Sequence, residues 1–375
     1  MHFKIIFLVL ILTFKSVLAI DTNANQAIVY DYNTSEVIFE KNADKKISPA
    51  SMTKILTTYI AFDILKNTTL SFNDKCTVSP KAYRIGGSSM FLEKFDKVTI
   101  IDLLRGIIIQ SGNDASIVLA ECLSGTEEEF STLMNSYAKK LGLTNSNFLN
   151  SSGWPNDKHY STVRDIGILS NALIRDFPDL YIYFQEKEFS YNNILQTNRN
   201  ILLNNVNGVD GLKTGFTKKS GWGLSASAIR DTRRITVVIN GANSSYARAL
   251  ETEKLINWAF IKTTPKKLLT KDQIIKEVDV WLGSKPTINL IIDKDLVTTV
   301  SYDQLKTIES IIEYNKPIEV PIKSGDVLGK MIIKISGKQN IEVPLVAEKN
   351  INNINPFYRI FAAIKYLIFG TSLDE

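Results

Sequence analysis

Ser51-Met52-Thr53-Lys54, Ser111-Gly112-Asn113 and Lys213-Thr214-Gly215 follow one another in that order along a chain of 375 residues, and the reading turns on them. A serine and a lysine three residues apart share one face of a helix. The pair can therefore hold a nucleophile beside its own base. A lysine in an apolar pocket loses the solvation of its charge, so its pKa falls and it can accept the serine proton. The setting of Ser51 suits this. Periodicity predicts an apolar helix over 48–65, with Ile55, Leu56, Tyr59 and Ile60 at helical spacing. Ser48 suits its N-cap and Pro49 its first position. Ser51 then lies in the positive field of the helix N-terminus. The same spacing recurs at Ser136-Tyr137-Ala138-Lys139. That copy sits in a polar amphipathic stretch where both side chains face water.

Each of the other two strings is weak alone. Ser111-Gly112-Asn113 reads as a break between apolar helices over 100–109 and 115–123, and Lys213-Thr214-Gly215 as a strand end entering a hairpin. With Ser51 they outline a cleft. Ser111 can relay a proton, and Asn113 can bond a substrate amide and help hold Lys54. Lys213 adds positive charge that favours a neutral Lys54. Thr214 offers a hydroxyl to a substrate carboxylate, and the backbone N–H groups of Ser51 and Phe216 form an oxyanion hole. A Ser-His-Asp arrangement would have to use His159, read as an exposed histidine in the polar loop 155–158. No Cys/His cluster has metal-ligand spacing, so no metal or other cofactor is expected.

The N-terminus reads as an export signal over 1–19. Lys4 precedes an apolar run over 5–12, and Val17-Leu18-Ala19 offers a small-residue cleavage site. A net charge of +5 is too mild to point to nucleic acid. Cys76 and Cys122 make no disulfide framework and read as two buried thiols rather than one bridge. After the signal, 27–39 reads as a hairpin around Asn33-Thr34-Ser35, and 212–217, 221–229 and 235–240 as a strand meander. Helices gathered between the hairpin and the meander predict an α+β class, an antiparallel sheet with helices packed on it. The catalytic domain is placed at 20–261. The polar, proline-bearing stretch 262–267 is expected to be a linker. A small all-β domain follows at 268–350, with strands over 277–282, 287–292 and 330–335 and with Gly325, Gly329 and Gly337 at turns. The last segment, 354–370, is expected to be an amphipathic helix. Phe357, Ile360, Phe361, Ile364, Leu367 and Ile368 share one face, with Arg359 and Tyr366 opposite. It is too short to span a bilayer and suits a helix lying in the membrane interface.

Beyond the three motifs, the chain carries Ser88-Ser89-Met90-Phe91-Leu92, Ser161-Thr162-Val163-Arg164-Asp165, Asn198-Arg199-Asn200 and Val209-Asp210-Gly211-Leu212 leading into Lys213. In these it resembles the D-alanyl-D-alanine carboxypeptidases of the low-molecular-mass penicillin-binding protein class. That resemblance implies a β-lactamase/transpeptidase-like catalytic domain. Its serine is acylated by the penultimate D-alanine of a peptidoglycan stem peptide, releases the terminal one and is then cleared by water. It also implies covalent inhibition by β-lactam antibiotics and attachment to the periplasmic face of the inner membrane through the C-terminal helix. An arginine after the last sheet strand assists in recognising the terminal carboxylate. The matching position is Arg248, with Arg199 a weaker candidate. Phe216 departs from the small polar residue or histidine often found after Lys-Thr-Gly in this class. A class A β-lactamase would need a Glu-x-x-Asn string after Asn113, and none occurs. An endopeptidase or transpeptidase acting on cross-links is the remaining enzymatic alternative.

Overall fold

The computed structural model describes residues 20–355 together with Tyr358, Ile360 and Ile364. The expected export signal and most of the expected tail helix lie outside the described residues. In chain order the elements begin with the hairpin β1 (Gln26–Asp31) and β2 (Glu36–Lys41), then α1 (Lys54–Asn67), β3 (Lys75–Thr77) and α2 (Pro80–Arg84). β4 (Lys97–Thr99), α3 (Ile100–Arg105), α4 (Asn113–Ser124), α5 (Glu127–Lys140) and α6 (Val163–Asp176) follow. A small pair β5 (Glu188–Tyr191) and β6 (Ile194–Thr197) and the short α7 (Leu202–Asn205) lead into the meander β7 (Val209–Thr217), β8 (Gly221–Arg230) and β9 (Arg233–Ala242). α8 (Ser245–Lys262) closes the helical part.

The backbone divides into two units. The first runs to Val29 and includes Phe39–Arg230 and Thr236–Trp258; the second comprises Tyr30–Ile38, Asp231–Ile235 and the chain from Ala259 onward. The five-stranded sheet has the order β2-β1-β9-β8-β7, which puts β7 and its Lys-Thr-Gly string on an edge. α1 is the central helix of the first unit. Lys54 to Phe62 are buried without interruption, whichever face they lie on. A helix buried all round has no polar stripe to turn to water, so a lysine within it is dehydrated by its position alone.

The second unit is β-rich. After α8 come β10 (Thr263–Leu269), β11 (Ile274–Trp281), β12 (Thr287–Ile292), β13 (Leu296–Ser301), β14 (Glu309–Tyr314), β15 (Ile318–Glu319), β16 (Val327–Lys334) and β17 (Ile341–Ala347). Six of them form a sheet in the order β14-β16-β17-β12-β11-β15, and β10 pairs with β13. In β12 burial alternates, with Ile288, Leu290 and Ile292 inside. That is the period of a half-buried strand. These three join Val280, Leu345 and Ile351 in one apolar core.

Four expectations are corrected. Ser48 caps nothing: a 3₁₀ turn over Ala50–Thr53, led by Pro49 without a side-chain cap, carries Ser51, and α1 begins only at Lys54. The backbone carbonyl of Ser48 instead accepts from Ser220 Oγ at 2.8 Å. The stretch 262–267 is no linker, because α8 runs directly into β10. Pro265 is tolerated there because β10 has a partner on one side only, so a missing N–H can face outward. Gly329 lies within β16 opposite Tyr314 rather than at a turn, whereas Gly325 and Gly337 take the left-handed backbone of turns. Cys76 and Cys122 are bridged, with Cα atoms 5.6 Å apart.

The bridge ties β3 to the last turns of α4, the helix that begins at Asn113. It closes a loop across 46 residues of sequence. Cross-links of that span stabilise a fold by about 2–4 kcal/mol, chiefly by restricting the unfolded chain. Replacing both cysteines by alanine should therefore lower the unfolding free energy by about that amount. Denaturant melts with and without reductant check it, since the double variant should lose the reductant sensitivity of the natural chain.

Candidate active site

The 3₁₀ turn over Ala50–Thr53 rests on the β7–β8 hairpin, and two glycines make room for it. Gly215 and Gly223 face each other across the strands. A Cβ on Gly215 would lie 2.9 Å from the Pro49 carbonyl oxygen, and one on Gly223 would lie 2.8 Å from the Met52 side chain. At Gly215 the obstacle is backbone, so a side chain there would push the turn aside. The third motif thus meets the first at its glycine, and Phe216 follows beside Ser51 at the cleft wall.

Lys54 is fully buried, and its Nζ has three oxygen neighbours: Ser51 Oγ at 3.0 Å, Asn113 Oδ1 at 2.8 Å and the Ser152 carbonyl at 2.6 Å. Among the described residues no carboxylate lies within ion-pair distance of it. Burial is the main cause that pushes its pKa down to about 7, and the Arg199 cation adds to this; Asp114 and Glu127 act in the opposite sense. A neutral amine has two N–H groups and one lone pair. Asn113 Oδ1 and the Ser152 carbonyl can only accept, so they take both N–H groups. The lone pair is left facing the Ser51 hydroxyl.

The second motif is assembled by backbone geometry. α3 passes into a π-helical turn, Gly106–Gln110, and Ser111 ends it in the left-handed region at φ 66°. Gly112 precedes α4, and Asn113 is its first residue. The amide of Asn113 is oriented from both ends, since its Nδ2 donates to the Gly86 carbonyl at 2.8 Å. Ser111 is buried and lines the cleft without a hydrogen bond to Ser51 or Lys54. Asp114 accepts from the backbone N–H of Met90 at 2.9 Å and from Ser89 Oγ at 2.6 Å. This holds the 88–92 segment against the start of α4.

Lys213 and Thr214 are both buried on β7. Burial pushes the Lys213 pKa well below the usual lysine range, and the cations of Lys54, Arg199 and Arg248 add to the effect. Arg248, near the start of α8, is 6% exposed and donates to the Arg199 carbonyl at 3.3 Å. Its pKa is lowered to about 10 by burial and by the neighbouring Arg199 charge, so it remains a cation at neutral pH. Arg199 is an exposed residue that also lines the cleft. The cleft has a volume of about 790 Å³ and takes in Ser51, Ser111, Asn113, Thr214, Phe216 and Arg248. The structure thus brings together every residue that the sequence nominated around Ser51. Ser136 and Lys139, the rival copy, are exposed on α5.

Three contributors, one of them a pair of tryptophans, had no sequence signal strong enough to nominate them. The Ser152 carbonyl belongs to a loop fixed by Asn150, whose Oδ1 accepts from Gly153 N–H at 2.8 Å and Trp154 N–H at 2.9 Å. Glu127 adds to this by accepting from Ser151 N–H at 3.0 Å. An asparagine three residues before a glycine hints at such a turn, but not at what its carbonyls face. Trp154 and Trp222 line the cleft. His159 is the third, and the expectation of an exposed loop histidine is overturned. It is buried, with Nε2 3.0 Å from Thr53 Oγ1 and Nδ1 accepting from Leu149 N–H at 3.2 Å. Burial and then the Lys54 charge push its pKa down to about 4, so it is a neutral strut.

Both parts of the chain are similar to known proteins of one family. The D-alanyl-D-alanine carboxypeptidase family (Peptidase_S11) matches residues 13–244, and the penicillin-binding protein 5 C-terminal domain matches residues 264–353. The D-alanyl-D-alanine carboxypeptidase DacC of Escherichia coli is 39% identical over 92% of this chain and 89% of its own length. Penicillin-binding protein 5 from Haemophilus influenzae superposes with a TM-score of 0.76 at 32% identity, over 90% of this chain and all of its own. Penicillin-binding protein D2 from Listeria monocytogenes, solved in an ampicillin-bound form, matches 64% of this chain and 98% of its own at 30% identity, with a TM-score of 0.59. With two domains matched in order and a serine–lysine cleft between the family's motifs, the chain belongs to the serine D-alanyl-D-alanine carboxypeptidase family of penicillin-binding proteins.

Proposed function

We propose that Ser51 is the nucleophile of this carboxypeptidase and Lys54 its base. The observation that carries the reading is the arrangement at Lys54 Nζ, where two fixed acceptors leave the lone pair for the Ser51 hydroxyl. Ser51 Oγ attacks the carbonyl carbon of the penultimate D-alanine as Lys54 takes its proton. The oxyanion that forms is held by the backbone N–H groups of Ser51 and Phe216. Collapse breaks the peptide C–N bond, and the proton passes to the leaving amine with Ser111 as relay. Terminal D-alanine departs, and water then hydrolyses the ester on Ser51. Asn113 orients the substrate amide and holds Lys54. The Arg199 cation at the rim helps keep Lys54 neutral, Lys213 lies buried beside Thr214, and Thr214 and Arg248 receive the terminal carboxylate.

The substrates are peptidoglycan pentapeptide stems, and β-lactams acylate the same serine. Both place the enzyme outside the cytoplasm, as does the 1–19 segment. We place it at the periplasmic face of the inner membrane, held there by the 354–370 helix. Ile360 and Ile364, two residues of that helix's apolar face, are 61% and 47% exposed, which suits a face meant for lipid.

Three outcomes are expected. Ser51→Ala should abolish both labelling by a fluorescent penicillin and release of D-alanine from a pentapeptide, while Ser136→Ala should retain both. Labelling that followed Ser136 instead would overturn the choice of nucleophile.

Acylation should rise with pH through about 7, because below that value Lys54 carries a third proton and has no lone pair to accept another. Removing a neighbouring cation raises the Lys54 pKa, so Arg199→Gln should move this limb to higher pH. Lys54→Arg cannot deprotonate near neutrality and should cost at least about a hundredfold in acylation. Stopped-flow penicillin acylation across pH measures all three.

Truncation before Asn355 should leave soluble activity intact and release the protein from membranes. Ile364→Asp should lose liposome binding where Tyr366→Asp keeps most of it. A truncated protein that still pellets with membranes would rule out the helix as anchor.

A further inference from the structure

The arginine offered to the substrate carboxylate is held in place by an aromatic ring rather than by an acid. Trp222 lies on β8 directly opposite Phe216 on β7. The two rings stack with centroids 4.2 Å apart and planes tilted by 31°. The Arg248 guanidinium carbon lies 5.4 Å from the centroid of the Trp222 ring. All three residues line the cleft that contains Ser51.

What Arg248 lacks is as informative. Among the described residues no carboxylate is within ion-pair distance of it, and its one hydrogen bond runs from Nη2 to the Arg199 carbonyl. Its Nε is buried with no acceptor. Buried donors are normally paired, and a guanidinium without an anion keeps its full charge. A carboxylate could fix this side chain, but it would also neutralise it and compete with any anionic ligand. An indole face attracts a cation without neutralising it. Phe216, 47% exposed, forms the outer layer of the stack, so the bulky residue after Lys-Thr-Gly buttresses the ring that meets the arginine.

We propose that Trp222, backed by Phe216, is a positioning residue that sets the orientation of the Arg248 fork and thereby the enzyme's selectivity for substrates ending in a free carboxylate. The inference rests on the reading of Arg248 as the partner of that carboxylate, and it assigns to the Phe216–Trp222 pair a role in specificity rather than in bond breaking. Two-point binding of a carboxylate needs the fork in one plane. A ring contact restricts that plane, whereas an aliphatic side chain of similar size does not.

The test compares hydrolysis of an acyl-D-Ala-D-Ala tripeptide with that of its C-terminal carboxamide, which keeps the scissile bond and removes the charge. Natural enzyme should prefer the acid. Trp222→Leu should raise KM for the acid roughly tenfold, the size of a desolvated cation–π contact, with kcat little altered and the carboxamide scarcely affected. Trp222→Phe, which keeps a ring, should retain most of the preference. Arg248→Gln is the control for the underlying reading and should abolish the preference. If Arg248→Gln leaves the preference intact, the assignment of Arg248 fails. If Arg248→Gln abolishes it but Trp222→Leu does not change it, the positioning role fails. Equal losses on both substrates in Trp222→Leu, or loss of selectivity in Trp222→Phe as large as in Trp222→Leu, would likewise overturn the proposal.

Discussion

A lysine dehydrated without a counter-ion is the constraint on which the site depends. Lys54 sits where α1 is buried on every side, so water cannot solvate its charge. The nearest acids are set one layer back and already occupied. Asp114 spends its oxygens on the 88–92 segment, and Glu127 pairs with Lys81 at 3.0 Å while holding Ser151. They moderate the field at Lys54 without neutralising it. Had either touched Nζ, the ammonium form would be stabilised and the base lost. The loops around the serine are thus arranged as much to keep acids away from Lys54 as to bring acceptors to it.

The same principle extends across the cleft. Arg199 and Arg248 also lack an acid partner among the described residues. A pocket with unneutralised cations and a low-dielectric wall concentrates positive potential. Such a pocket is costly in folding, because desolvated charges are not offset by ion pairs. It is suited to a ligand that brings its own negative charge. The anion of a peptide's C-terminus does so, as does the carboxylate of a β-lactam. Selectivity for a chain end over a chain interior follows from charge before any shape is considered.

Much of this could be read before the fold was known, and the divisions fall along physical lines. The hairpin, the meander and α1 were legible because their apolar periods are strong and local. The candidate side chains around Ser51 were legible because each string names its own chemistry. What escaped depends on contacts distant in sequence or on the backbone. The Ser152 carbonyl reaches Lys54 across 98 residues, and any residue type supplies a carbonyl. His159 sits amid polar neighbours in sequence yet is covered by Phe148 in space, with ring centroids 5.6 Å apart. The Cys76–Cys122 bridge joins a short strand to a helix end, a pairing that two lone cysteines do not announce. Ser48 had a good cap sequence, but Ala50 takes a positive φ of 50° and the chain turns before the helix starts. The stretch 262–267 has a linker's composition, and its strand pairing with β13 comes from residues thirty or more positions away.

The π-helical turn before Ser111 has a consequence for how this site can change over time. Gly106–Gln110 accommodates one more residue than an α-turn would, and Ile107, Ile108 and Ile109 are all buried, so no polar face records the local phase. An α-helix advances about 100° per residue. A one-residue deletion in this stretch would let it close as ordinary α-helix with Ser111 still in phase, whereas the same deletion in the preceding α-helical turns of α3 would rotate Ser111 by roughly that angle. Point substitutions among the isoleucines would merely repack. The π-helical turn is therefore the place in this segment where the chain can lose a residue and still present Ser111 to the cleft.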